Sequence, residues 1–257
     1  MKKNIIVLVS LVILLFAVNY SFLDSMLINL FNEGEVVIVE KVIDGDTIVV
    51  NGSSVRLLGI NSPERGGQYY DEAREFLEEA VLDKTAVLKF GKEKYDKYNR
   101  TLAYVFVGEK NVNLELVRNG FANFYFPSGK DVYYDDFKEA WESCESNLCE
   151  KAEEECSNCI ELKGFDYEEE VVVFYNKCDF DCELTGWGIK DEGRKNFVFP
   201  NFVLEKNKDV RIIVSEEEKA NSESEIFWNR KDYVWTDSGD TLFLRDSEGK
   251  LVLWESY

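Results

Sequence analysis

Residues 42–64 read VIDGDTIVVNGSSVRLLGINSPE, and the fold of the first half of the chain grows out of them. β-branched residues crowd this stretch and the residues before it: Val37, Val39, Val42, Ile43, Ile48, Val49 and Val50. Such residues favour extended backbone. Asp44-Gly45-Asp46 interrupts the run with turn-forming residues. Asn51-Gly52 is a strong two-residue hairpin signal. Residues 55–60 return as a strand, and Pro63 stops it. Downstream, residues 71–82 carry Ala73, Phe76, Leu77, Ala80 and Val81 at a helical period. Residues 85–90 and 101–107 read as strands. Residues 112–119 form a short helix closed by Gly120, and residues 131–151 a longer acidic helix. Five strands with helices in this order suit a small closed barrel of the OB type, an α+β unit.

After residue 156 the texture changes. Strand-like runs recur at 171–175, 187–190, 197–204, 210–214, 225–228, 241–245 and 251–254, with turn signals between them. Many short strands at close spacing predict an immunoglobulin-like antiparallel β-sandwich. The whole chain is therefore mainly β. The organisation expected is a signal anchor or signal peptide at 1–23, a spacer at 24–34, an OB-fold domain at 35–154 and a sandwich domain at 155–257.

Composition narrows the function. The chain has 257 residues, 45% of them hydrophobic and 14% aromatic, which is folded material. Its formal net charge is -20, and acid outweighs base in both halves. Tight non-specific grip on nucleic acid through counterion release is excluded at the level of totals. An enzyme needs only a locally positive cleft. The chain holds no histidine, which excludes an imidazole base, a Ser-His-Asp triad and a His-ligated zinc.

Met1-Lys2-Lys3 precedes an apolar run from Ile5 to Val18 broken by Ser10. That is the pattern of a secretory signal or a membrane anchor, and both place the rest of the chain outside the cytoplasm. The six cysteines, Cys144, Cys149, Cys156, Cys159, Cys178 and Cys182, are even in number and confined to one segment. In an oxidising compartment they read as candidate disulfides at a domain junction. Cys156-x2-Cys159 with Cys178-x3-Cys182 has nearly the spacing of a four-thiolate zinc site, so both chemistries stay open.

Four clusters carry the chemistry: Asp44-Gly45-Asp46-Thr47, Arg56, Asn61-Ser62-Pro63-Glu64 and Asp96-Lys97-Tyr98-Asn99-Arg100. They offer hard oxygen ligands, one extra carboxylate and two guanidinium groups. Carboxylate, amide and carbonyl oxygens suit a hard divalent cation. Two arginines suit a phosphate, because the planar fork grips two oxygens and keeps its proton.

The stretches VIDGDTIVV, VRLLGINSPE, DKYNRTLAYV and VNLELVRNGFA, in this order, resemble the thermonuclease, or staphylococcal-nuclease-like, family over residues 35–150. The resemblance implies an OB barrel and a Ca²⁺-dependent nuclease acting on DNA and RNA and leaving 3′-phosphate ends. Residue by residue it implies Asp46, Asn61 and the Ser62 carbonyl as cation ligands, with Asn61 standing where reference members have an aspartate. Asp44 would lie near the metal without ligating it. Glu64 would order or deprotonate the attacking water. Arg56 and Arg100 would bind the phosphate and its developing charge. Lys97 and Tyr98 would flank the nucleotide, and Tyr125 would stack on a base. Residues 160–257 resemble the lamin-tail family through LTGWGIKDEG, NFVFPNFVLEKNKDVRI and EIFWNRKDYVWTDSGDTLFLRDSEGKLV. That domain's ligand is not readable from the sequence. Two other readings stand beside the nuclease: an inactive OB module that binds nucleic acid or protein, and a cell-surface structural protein whose sandwich is the working part.

Overall fold

A computed structural model describes residues 34–257. The segment expected as signal or anchor, and all of the spacer except Gly34, lie outside the described residues.

The first domain is one curled sheet and a two-stranded sheet, with three helices. Its strands are β1 (Glu35–Ile38), β2 (Lys41–Asp44), β3 (Thr47–Val50), β4 (Ser53–Leu57), β5 (Gly59–Asn61), β6 (Thr85–Tyr95), β7 (Thr101–Val107), β8 (Lys110–Asn111) and β9 (Asn123–Tyr125). The sheet order is β1-β6-β7-β4-β3-β2, with β8 on the side of β7. Only Val39 and Glu40 separate β1 from β2, yet these strands occupy opposite ends of that order. One continuous run thus supplies both edges, and the sheet must bend round on itself. This is the expected OB-type barrel, with the first strand divided in two.

The Asn51-Gly52 signal is realised. Both residues have positive φ, 49° and 69°, as a turn with the strands' own twist demands. The strand expected over 55–60 is in fact two. Gly59, at φ +74°, turns the chain out of β4, and β5 leaves the barrel sheet to pair with β9.

Helix α1 (Tyr70–Val81) buries Ala73, Leu77 and Val81, spaced four residues apart, and carries Asp71 and Glu72 in its first turn, where the helix dipole favours acids. Helix α2 (Val112–Arg118) starts at Asn111, whose side chain accepts from the Leu114 N–H. Helix α3 (Tyr134–Glu142) buries Tyr134, Phe137, Ala140 and Trp141. It is much shorter than the helix expected over 131–151. A disulfide joins Cys144 and Cys149, with Cα atoms 5.7 Å apart. Five helical residues advance about 7.5 Å along the axis, which is beyond the reach of that bond, so the helix must stop first.

The second domain stacks two four-stranded sheets. One runs β10 (Ile160–Asp166), β11 (Val171–Asn176), β16 (Asp209–Ser215), β17 (Glu225–Asn229). The other runs β14 (Asn196–Val198), β13 (Gly188–Lys190), β18 (Thr241–Arg245), β19 (Leu251–Ser256). β12 (Cys182–Glu183) pairs with β15 (Val203–Leu204). Three details depart from expectation. β10 was not anticipated, β16 and β17 pair in parallel, and the run expected over 197–204 is cut at Pro200 into β14 and β15. The six thiols are all used, as Cys144–Cys149, Cys156–Cys182 and Cys159–Cys178. The last two bonds pin the domain junction to the start of the sandwich.

The two domains share apolar interior. Phe243 of β18, and Leu251 and Trp254 of β19, pack into the barrel-side core with Phe124 and Trp141. The Trp141 and Phe243 rings meet edge to face at 5.2 Å between centroids. Backbone bonds reinforce the seam: the Leu251 N–H donates to the Glu150 carbonyl at 2.8 Å, and the Ala152 N–H to the Leu251 carbonyl at 3.0 Å.

Candidate active site

The site begins at the β2–β3 turn. The Asp46 N–H donates to the Asp44 carboxylate at 3.2 Å, which tightens the turn. Gly45 is required there, because a Cβ would lie 2.8 Å from both the Ala73 Cβ and the Ser62 Cβ. The turn is thereby clamped between α1 and the segment that follows β5. Asp46 faces that segment, and its Oδ2 accepts from both the N–H and the Oγ of Ser62 at 2.9 Å.

Arg56, on β4 opposite Thr47, is only 8% exposed. Its guanidinium lies 3.1 Å from the Asp46 carboxylate, donates to the Asn61 Oδ1 at 3.3 Å and donates to the Leu57 carbonyl at 2.9 Å. Asp46, Arg56, Asn61 and Ser62 are all buried in one knot. Every donor in it is oxygen: carboxylate, amide and carbonyl. Burial, and next to it the charge of Asp46, push the Asp44 carboxyl up. Two carboxylates this close, with amide and hydroxyl oxygens beside them, fit a hard divalent cation. Only two of these donors are carboxylates, and among the described residues no three acidic or thiol side chains are grouped so as to hold a metal ion. Such a donor set is that of a weak site completed by water or substrate oxygen.

In front of the knot lies a cleft of about 530 Å³. Arg56, Lys97, Tyr98, Arg100 and Tyr125 all line it. The Arg100 Nε donates to Asp96 at 2.7 Å, and its charge lies over the Tyr98 ring. Desolvation raises Asp96, but hydrogen bonds from the Arg100 and Tyr98 backbone and the Arg100 side chain outweigh it and hold the carboxyl below its usual range. Burial lifts the Tyr125 phenol, with the Arg56 charge opposing. The two arginines therefore flank one opening. Lys92 and Lys130, not singled out from the sequence, add positive charge to its walls.

Glu64 is placed differently. Like Asp46, Asn61 and Ser62 it is not part of the cleft wall, but unlike those buried residues its side chain is 61% exposed. Its Oε1 forms an ion pair with the Nε of Arg194, in the second domain, at 2.7 Å. The loop carrying Arg194, between β13 and β14, also reaches Asn61. The Asn61 Nδ2 donates to the Glu192 carbonyl at 3.2 Å and to the Gly193 carbonyl at 2.8 Å. Asn123, the β9 partner of Asn61, donates to the same Glu192 carbonyl at 2.9 Å and accepts from Lys190 at 3.3 Å. Burial drives Lys190 down to about 8, against the charge of Asp191. Glu192 accepts from the Phe126 N–H and the Thr241 hydroxyl, and burial pushes it up to about 7. Of these residues, Asn123 lies one position past the VNLELVRNGFA stretch and was not singled out. No local pattern tied Lys190, Glu192 or Arg194 to the first domain.

A curled barrel carrying an oxygen-rich turn beside an arginine-lined cleft defines a protein of the OB-barrel class. Residues 54–147 match the family described as staphylococcal nuclease homologue, and residues 155–257 match the lamin tail domain. The thermonuclease of Staphylococcus intermedius is 36% identical over 109 residues, which is 38% of this chain and 65% of that protein. The thermonuclease of Staphylococcus hyicus is 35% identical over 36% of this chain and 62% of its own length. An uncharacterized protein of Methanocaldococcus jannaschii is 33% identical over 41% of this chain and 67% of its own length. The match thus spans less than two thirds of either thermonuclease. Residues 54–147 thus belong to the staphylococcal nuclease homologue family and residues 155–257 to the lamin tail domain.

Proposed function

We propose that this chain is a Ca²⁺-dependent endonuclease that hydrolyses phosphodiester bonds of DNA and RNA outside the cytoplasm. One observation carries the reading. The Arg56 guanidinium lines the cleft and at the same time bonds Asp46 and Asn61, so the phosphate wall and the oxygen-donor knot meet at a single side chain. The likeness to the staphylococcal thermonucleases supports the activity.

Asp46, the Asn61 Oδ1 and the Ser62 carbonyl would hold the cation. When bound, Ca²⁺ supplies charge to polarise a phosphoryl oxygen and a place for the attacking water. The chain's own groups do the rest. Arg56 and Arg100 grip the phosphate and offset the negative charge that grows on its oxygens. Glu64 orients the water and takes its proton. Lys97, Tyr98 and Tyr125 hold the adjoining nucleotide, the tyrosines by presenting ring faces. Three disulfides and the apolar N-terminal run support export, held to the membrane by an anchor or released after a signal peptide. Purified full-length protein is expected to digest single-stranded DNA with Ca²⁺, to leave 3′-phosphate ends and to stop on chelation. Glu64→Gln should lose roughly 10²–10⁴ in kcat with KM little changed. A Glu64→Gln protein as fast as the parent removes the assignment.

A further inference from the structure

The loop from Asp191 to Lys195 belongs to the sandwich, yet it touches the two residues of the barrel on which cation and water depend. It is built to stay in place. Its ends are closed by the Asp191 N–H on the Lys195 carbonyl at 3.2 Å and the Lys195 N–H on the Asp191 carboxylate at 2.8 Å. Its middle is held by the Glu192 N–H on Asp240 at 3.1 Å and by the Glu192 carboxylate, which bonds Phe126 on one side and Thr241 on the other. Two main-chain carbonyls of this fixed loop take both amide hydrogens of Asn61. The amide can therefore present only its oxygen toward Arg56 and Asp46. An aspartate at this position would set a buried carboxylate against two carbonyl oxygens. The same loop sends Arg194 to the Oε1 of Glu64.

We propose that the 191–195 loop is a working part of the nuclease site. Its Glu192 and Gly193 carbonyls orient Asn61 and thereby dictate an amide where a carboxylate would otherwise serve, and Arg194 is a positioning residue for Glu64. The sandwich completes the hydrolytic centre rather than merely accompanying it. This rests on the nuclease reading for Arg194, and on geometry alone for Asn61.

The test uses the full chain and three variants. Asn61→Asp, without metal, is expected to melt roughly 5 °C below the parent, because unsatisfied buried acceptors face one another. In calorimetric titration with Ca²⁺ alone, Asn61→Asp gains less than tenfold in affinity despite its added charge, since its carboxylate is pushed out of place. Arg194→Ala is expected to keep the parent's melting temperature, its ion pair being exposed. It should lose tenfold or more in kcat on single-stranded DNA, with KM and Ca²⁺ affinity within about twofold of the parent. Arg194→Lys should recover part of that loss. An Asn61→Asp protein as stable as the parent overturns the proposal, and so does an Arg194→Ala protein with unchanged or raised kcat. A parent chain that cleaves nothing sinks the nuclease reading instead, and the Asn61→Asp melt still decides the role of the loop.

Discussion

Arg56 and Arg100 are alike in charge and unlike in setting, and that difference separates binding from folding. Arg56 is buried with Asp46 as its charge partner. Arg56→Ala leaves a buried carboxylate unpaired, which costs about 3–5 kcal/mol of stability. Arg100 is paired with Asp96 at the cleft edge, its side chain 30% exposed. Arg100→Ala is expected to hold the parent's stability within about 1 kcal/mol and to lose roughly 10²–10³ in rate. Urea denaturation and initial rates on single-stranded DNA, run on both variants, check the contrast. Equal destabilisation by the two substitutions would overturn it. Most of these side chains were legible in the sequence. Asp46, Arg56, Asn61, Ser62, Lys97, Tyr98 and Arg100 sit in motifs whose order and spacing mark them, whereas Tyr125 lies past the last of those stretches. The environment of Glu64 was not legible, because Arg194 lies in another domain and contacts between distant segments leave no local period.

At the scale of elements, turns were read better than ends. The β-branched run and Asn51-Gly52 announced the β2–β3–β4 meander, since propensity and turn chemistry agree there. The 131–151 helix was overread, because helical periodicity continues past the point where the Cys144–Cys149 bond forbids it. β5 was hidden inside a longer apparent strand, because only the positive φ of Gly59 parts it from β4. The β2–β3 turn yields a prediction of its own. Gly45→Ala forces a methyl against Ala73 and Ser62, which should cost about 1–3 kcal/mol. The variant should also bind Ca²⁺ more weakly, because Asp46 is carried out of reach of Ser62. Urea melts and calorimetric titration read the two effects separately. A variant with parent-like stability would show that the turn has room to shift.

For the whole molecule, the prediction concerns cooperativity. Phe243 belongs to the sandwich in sequence and to the barrel in packing. Phe243→Ala should therefore cost about 3–5 kcal/mol, and scanning calorimetry of the parent should show one transition. Two separable transitions would mean that the shared core does not couple the domains. The seam also carries a proton linkage. Burial raises Asp240 from 3.8 to about 6, with the charge of Asp191 adding to it and hydrogen bonds from the Glu192 and Thr241 backbone opposing. The folded protein thus binds this proton more tightly than the unfolded chain between about pH 4 and pH 6. Stability from this group is fullest below that window and falls as pH rises through it. Asp240→Asn keeps an acceptor for both N–H groups and removes the titration. Its melting temperature should gain on the parent from pH 4 to pH 6 and hold that lead at pH 7. The charge totals of the two halves gave no hint of this seam, because it is built from a few buried groups and not from net charge.

The aromatic seam decides what happens when the chain is cut. A subclone ending near residue 154, or a protease nick at the junction, would strand Phe124 and Trp141 against solvent with no lid of Phe243 and Trp254. The product would not be a smaller, self-contained domain but a sticky fragment prone to precipitate. For this polypeptide, the usual practice of expressing one module at a time would discard half of the machine.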